Sequence, residues 1–251
     1  MKALITGASS GIGRDIAKVL ADKGYDLILV ARRTELLEKL KSELSVNVRV
    51  ITADLSDEKQ CFELYENTKD EDIDVLVNNA GFGVFGEFVS SNIERELQMI
   101  NVNIKAVHIL TKLYLKDFVK KDSGHILNVA SIAAFYAGPL LSGYYASKNY
   151  VLRLSQAISE ELKSKKSNVK ISVLCPGPVD TEFNKVANVK FALAGLNSMD
   201  VAKYAVKNML KGKLVIIPGA IIRIAKFFSV LVSDSIKMKF LHKVQKQKAE
   251  K

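Results

Sequence analysis

Lys2-Ala3-Leu4-Ile5-Thr6-Gly7-Ala8-Ser9-Ser10-Gly11-Ile12-Gly13 opens the chain with a short apolar run that ends in three spaced glycines. The run reads as a strand. Arg14–Lys23 carries the period of a helix, so the glycines stand at a strand-to-helix turn. Gly7 allows a tight turn, while Gly11 and Gly13 let the backbone approach a pyrophosphate and let the helix pack on the sheet. The first amides of such a helix lack partners and carry partial positive charge, which suits phosphates. Ser9, Ser10 and Ile12 belong to the same cradle. An ordinary turn of small residues accounts poorly for three glycines at this spacing after an N-terminal strand.

Outward from this turn the pattern repeats. Apolar runs at Ala3–Thr6, Asp26–Val30, Val46–Thr52, Ile73–Asn78, Gly124–Ala130, Val169–Cys175 and Lys213–Ile217 are continuous, as in strands buried on both faces. Between them Arg14–Lys23, Glu35–Leu44, Ile93–Lys120 and Tyr144–Lys163 read as helices. This alternation predicts an α/β fold, a doubly wound, Rossmann-type parallel sheet with helices on both faces and ligands at the strands' carboxyl ends. Residues 1–219 form one dinucleotide-binding and catalytic domain, and 220–251 form a basic helical C-terminal extension. Val179–Asn197 is the least regular stretch and a natural lid, followed by a helix that Ser198 could cap.

Composition narrows the class. Cys61 and Cys175 share no metal-ligand spacing, so neither a metal nor a disulfide framework is expected. With a strand already starting at Lys2 there is no room for a signal peptide, and a reducing cytoplasm is the expected compartment. The net charge of +10 is uneven: residues 220–251 hold eight basic side chains against two acidic ones. The basic character therefore belongs to the extension and says little about the core's ligand.

The second strand runs into Ala31-Arg32-Arg33. An NAD-binding unit places an acid here for the ribose 2′-hydroxyl, whereas guanidinium groups pair with the 2′-phosphate of NADP. The missing acid and Arg32 favour NADP(H) over NAD(H). Arg33 could bind the phosphate or solvate the next helix. Asp54-Leu55, after the third strand, could receive the adenine amino group or start the following helix beside Ser56 and Asp57.

Tyr144 and Lys148 stand four apart on one helical face, where an ammonium could lower the tyrosine's pKa from its usual value near 10. Spacing alone is weak, because Tyr65 and Lys69 share it on what reads as a solvated helix face. Tyr144 is distinguished by Ser131, which ends the fifth strand and is placed to hold a substrate oxygen.

The ordered set Thr6-Gly7-x-x-x-Gly11-x-Gly13, Asn78-Asn79-Ala80-Gly81, Ser131, Tyr144-x-x-x-Lys148 and Pro176-Gly177-Pro178-Val179-Asp180-Thr181 resembles the short-chain dehydrogenase/reductase family, in its compact single-domain form, over residues 1 to about 217. The resemblance implies a seven-stranded parallel sheet and an oxidoreductase. It implies Tyr144 as the acid in reduction and the base in oxidation, with Lys148 lowering its pKa and binding the nicotinamide ribose. Ser131 would orient the carbonyl, and Asn103, rather than Asn101, would support a proton relay. Asn79, Ala80 and Gly81 would line the adenosine ribose, and Pro176, Gly177, Val179 and Thr181 would cover the nicotinamide. A homodimer or homotetramer is implied as well.

Two rival readings remain open. One is a catalytically silent NADPH sensor or scaffold. The other concerns Ile221, Ile222, Ile224, Ala225, Phe227, Phe228, Val230, Leu231 and Val232, a broad apolar face beside a narrow stripe of Arg223, Lys226, Ser229 and Ser233. That helix either closes the pocket or packs on a second subunit, or it lies on an anionic membrane and favours lipid-like substrates. No nucleic-acid reader motif accompanies the basic segment. Phe183, Phe191, Leu193 and Leu196 suggest an apolar pocket for a carbonyl or alcohol.

Overall fold

A computed structural model describes residues 1–183, 195–228 and 232–249. In chain order the elements are β1 (Lys2–Thr6), α1 (Gly11–Ala21), β2 (Asp26–Ala31), α2 (Thr34–Ser42), β3 (Val48–Thr52), α3 (Glu58–Glu66), β4 (Val75–Asn78) and α4 (Ile93–Ile100). After a π-helical turn at Asn101–Ala106 come α5 (Val107–Lys120), β5 (His125–Val129), a 3-10 turn (Ile132–Phe135), α6 (Ser142–Ser164) and β6 (Lys170–Leu174). The chain continues through α7 (Ser198–Leu210), β7 (Val215–Ile216), α8 (Ala220–Phe228) and α9 (Asp234–Ala249).

The seven strands form one sheet in the order β3-β2-β1-β4-β5-β6-β7, and each neighbouring pair is parallel. Successive strand residues point to opposite faces, and both faces are apolar. Ile5, Leu29, Val77 and Leu127 pack on one side with Ile16 of α1, Leu37 of α2 and Val206 of α7. Leu4, Ile28, Leu76 and Ile126 pack on the other with Leu64 of α3, Phe118 of α5 and Leu162 of α6. Crossovers from β1 and β4 leave in opposite directions along the sheet, which opens a crevice at their carboxyl ends.

Three expectations change in detail. The stretch Ile93–Lys120 is not one regular helix, because the π-helical turn interrupts it at the residues that carry Asn103. Ser198 does not cap α7: its hydroxyl donates to the buried Asp15 of α1, while the Asn197 side chain accepts from the amides of Met199 (2.9 Å) and Asp200 (3.3 Å). Tyr65 is not a solvated residue, since it donates to Asp117 at 2.7 Å and stacks edge-on against Tyr114. The C-terminal segment forms two described helices, with Val232 and Ser233 non-helical between them.

His125 is buried at the start of β5, where Nε2 meets Ser172 Oγ at 2.9 Å, and burial lowers its pKa to about 4. The folded state therefore holds this ring neutral where an unfolded chain, with a pKa near 6.5, takes up a proton. Stability from His125 is complete above pH 6.5 and declines by about 3 kcal/mol as pH falls towards 4. Denaturant titrations of wild type and His125→Gln at pH 7 and pH 4 should show the difference between them shrinking by about that amount. Parallel acid profiles would refute a buried neutral ring.

Candidate active site

A single cavity of about 460 Å³ runs along the carboxyl ends of the strands. Its walls include Gly7, Ser9, Ser10, Gly11 and Ile12 from the first turn, and Arg32 and Arg33 from the end of β2. Asp54 and Leu55 follow β3, while Asn79, Ala80 and Gly81 follow β4. Ser131, Tyr144, Lys148, Pro176, Gly177, Val179 and Thr181 complete the set that the sequence had singled out. Gly13 and Asn103 lie outside the cavity lining.

Gly13 has a packing role. A Cβ there would come within 2.4 Å of Gly7 O and 2.3 Å of Asn79 Nδ2. Asn79 is itself a clamp, donating from Nδ2 to Thr6 O (3.0 Å) and Gly7 O (3.1 Å). It thereby fixes the first turn against the end of β4. Gly11 has φ +55 and faces Thr181, whose Cγ2 would lie 3.0 Å from an added Cβ. Side-chain bulk is thus excluded from both sides of the cradle.

The start of α1 has no side-chain cap, as is also true of α2 and α6. Asp57, Asn92 and Asn197 each cap their helices with a side-chain oxygen, whereas Ser10 makes no such bond and the first turn of α1 has no acid. Its amides remain available to an anion beside the cavity. Above them Arg33 Nη2 donates to Ser9 Oγ (3.2 Å), Ser10 Oγ (3.1 Å) and Glu182 Oε2 (2.8 Å). Arg33 is therefore bound over the glycine turn, not merely solvating α2. Asp54 holds the Ser56 amide (3.0 Å) and hydroxyl (2.8 Å), and Asp57 is the residue that caps α3. The phosphates and adenosine of a dinucleotide fit this set.

At the other end, β5 delivers Ser131 in extended backbone at the start of the 3-10 turn, where Oγ accepts from Ala133 N at 3.1 Å. That leaves the Ser131 hydroxyl proton uncommitted beside Tyr144, and Ser131 acts to lower the phenol's pKa. Helix α6 sets Lys148 one turn beyond Tyr144. Lys148 is buried, donates to Val129 O at 2.9 Å, and lies 5.8 Å from the centre of the Tyr144 ring.

The expected lowering of the Tyr144 pKa is absent from this geometry. Burial pushes the phenol up to about 12, and the Ser131 hydrogen bond only partly opposes it. Burial also brings Lys148 down to about 8. Both groups lose water, and the ammonium spends a donor on a main-chain carbonyl instead of the phenol. At neutral pH the pair holds a protonated phenol beside a mainly charged lysine. Cys175 is buried with its thiol pushed up to about 12, which suits a core residue.

Asn103 is fully buried and its side chain is committed. Oδ1 accepts from Phe82 N (3.1 Å), and Nδ2 donates to Phe82 O (2.9 Å) and Ser147 Oγ (3.0 Å). It thus ties the loop after β4 to α6 beside Lys148. The wider π turn carries the residue that makes this bracket, in keeping with π-bulges at functional positions. Asn101 instead donates to Ser56 O.

Several lining residues were not marked in the sequence. Gln245 of α9 is buried in the cavity wall and donates to Tyr145 Oη at 3.0 Å, so the extension does close part of the pocket. Phe183, marked in the sequence as a pocket residue, does line the cavity and packs against Tyr144 with ring centres 5.3 Å apart. Leu196 packs into the core beside α1 and α7, while Phe191 and Leu193 lie outside the described residues, as does most of the expected lid.

The chain is similar to known oxidoreductases. A family model described as short chain dehydrogenase matches residues 1–190. An uncharacterised oxidoreductase of Staphylococcus epidermidis is 31% identical over 207 residues, covering 81% of this chain and 89% of the relative. A short-chain dehydrogenase from Sphingobium yanoikuyae, solved in complex with NADPH, is 30% identical, with a TM-score of 0.83 over 92% of this chain and 91% of that one. The bulky-bulky ketone specific alcohol dehydrogenase of Comamonas testosteroni is 28% identical, with a TM-score of 0.79 over 92% and 91% of the two chains.

Proposed function

This chain belongs to the short-chain dehydrogenase/reductase family, and from that premise we propose an NADP(H)-dependent oxidoreductase acting on an apolar ketone or aldehyde. The observation that carries the reading is the single cavity joining Arg32, Arg33 and the glycine turn to Ser131, Tyr144 and Lys148. The NADPH complex of the Sphingobium relative supports the cofactor, and the bulky ketone specificity of the Comamonas relative supports the substrate class.

When bound, the nicotinamide supplies or accepts the hydride. Ser131 then holds the carbonyl oxygen, and Tyr144 gives that oxygen its proton, as general acid catalysis requires. A phenol pushed up by burial is protonated at working pH, which favours reduction as the direction served. Lys148 keeps a positive charge near this proton and binds the ribose. Asn103 supports the relay as a positioning residue, by fixing Phe82 and Ser147 around Lys148. Phe82, Val102, Leu141 and Phe183 line the same cavity and favour apolar substrates. A homodimer or homotetramer is the assembly proposed by family membership.

The test is NADPH consumption with aldehydes and ketones graded by chain length. With about 0.8 kcal/mol for each buried methylene, kcat/KM should rise about fourfold per carbon until the pocket is full. A series with no dependence on apolar length would remove the substrate assignment. Inertness of the wild type across the whole panel, with NADPH still bound, would favour the silent sensor.

A further inference from the structure

Helix α8 meets the body of the protein through Ile222, Arg223 and Lys226 and leaves its other large apolar residues outward. Ile222 packs towards Gly177 and Gly219, Arg223 bonds Tyr204 Oη (3.0 Å) and Ile217 O (3.2 Å), and Lys226 lies 5.2 Å over the Phe135 ring. The opposite side presents Ile221, Ile224, Phe227 and Phe228, which are 82%, 57%, 71% and 57% exposed. At 100° per residue these four fall on one arc, away from Ile222 and Lys226. An amphipathic helix that served only to cover the core would have the reverse orientation.

Helix α9 is built in a matching way. Gln245 faces the cavity. On the opposite arc stand Ile236 and Phe240, 61% and 66% exposed, together with the exposed Lys239, Lys243 and Lys246. No acid interrupts this arc among the described residues, and Asp234 is paired with Lys237. Both helices therefore offer large apolar side chains to the outside, and α9 surrounds its own with lysines.

We propose that the outward faces of α8 and α9 dock peripherally on an anionic membrane surface. Among the described residues no helix is long and apolar enough to cross a membrane, so the contact is interfacial. Apolar side chains enter the acyl boundary while lysines meet the headgroup charge. A second copy of this chain is the competing occupant. An isologous interface through this arc would bring two copies of Lys239, Lys243 and Lys246 into one contact region, with no acid among the described residues of that arc to offset their charge. An anionic bilayer complements the patch instead. The inference is independent of the catalytic reading, so its failure would leave the reductase assignment untouched.

The experiment is co-sedimentation of the full chain with vesicles of phosphatidylcholine alone or with about one third phosphatidylglycerol. The protein should pellet with the anionic vesicles and be released as salt is raised. K239Q/K243Q/K246Q should lower partitioning about 100-fold, at about 1 kcal/mol for each lysine near the surface. I224S/F227S/F228S should also weaken it, and both variants should keep wild-type far-ultraviolet circular dichroism and NADPH oxidation. Failure to pellet with anionic vesicles at low salt would overturn the proposal, as would equal binding to neutral ones. If the apolar variant instead converts a stable dimer to monomer in sedimentation velocity and vesicles capture neither form, the face belongs to a second copy.

Discussion

Tyr144→Phe should lower kcat/KM for NADPH-dependent carbonyl reduction by about 1,000-fold, close to 4 kcal/mol of transition-state stabilisation, while NADPH binding stays near wild type. The substitution deletes only the phenol hydroxyl and leaves the ring packed against Phe183. Its effect should therefore fall on kcat more than on KM. The wild-type pH profile provides a second check. The phenol, pushed up to about 12, stays protonated across the working range, and the group that changes state first is Lys148, brought down to about 8 by burial. Loss of its proton removes the positive charge beside the reacting oxygen. The reductive rate should be level below about pH 7 and decline as pH rises through about 8. A profile that holds level to pH 10 would show that the buried lysine does not control the step. A Tyr144→Phe enzyme with near wild-type turnover would remove the tyrosine from the chemistry.

The parts of this molecule that were legible in the sequence are those fixed by short-range chemistry. Continuous apolar runs such as Leu27–Val30 have a single use, strands buried on both faces, and Gly7, Gly11 and Gly13 mark a turn where added bulk has no room. Reading failed where two local solutions have similar energy. Asn197 and Ser198 are both good caps, and a long-range bond from Ser198 to Asp15 decided between them. The π-helical turn around Asn103 adds a residue without a change in composition, so a 3.6-residue pattern reads straight through it. Gln245 is out of reach for a different reason. A lone glutamine in a lysine-rich helix carries no periodic signal, and only the path of α9 brings it to Tyr145. The apolar face of α8 was visible, but amphipathicity does not say which side meets the body of the protein.

Arg32→Asp should reverse the cofactor preference, from NADPH favoured by about 100-fold or more in the wild type to NADH favoured in the variant. Each charge-assisted hydrogen bond to a phosphate contributes about 1.5–3 kcal/mol, and both arginines stand at the cavity after Ala31. Their contributions differ, because their present partners differ. Arg33 already bonds Glu182, Ser9 and Ser10, so a 2′-phosphate arriving there exchanges one anion for another. Arg32 makes no ion pair among the described residues, and the phosphate adds an interaction where none exists. Arg32→Ala should accordingly cost more NADPH affinity than Arg33→Ala. Glu182→Gln should tighten NADPH, by releasing Arg33, and leave NADH unchanged. The preference should also narrow with added salt, since both guanidinium groups are exposed. Binding is best followed through the fluorescence of the reduced nicotinamide, as the chain contains no tryptophan. Equal affinity of the wild type for NADH and NADPH would defeat the assignment, and unchanged affinities in Arg32→Asp would show that the 2′ position of the ribose is read elsewhere.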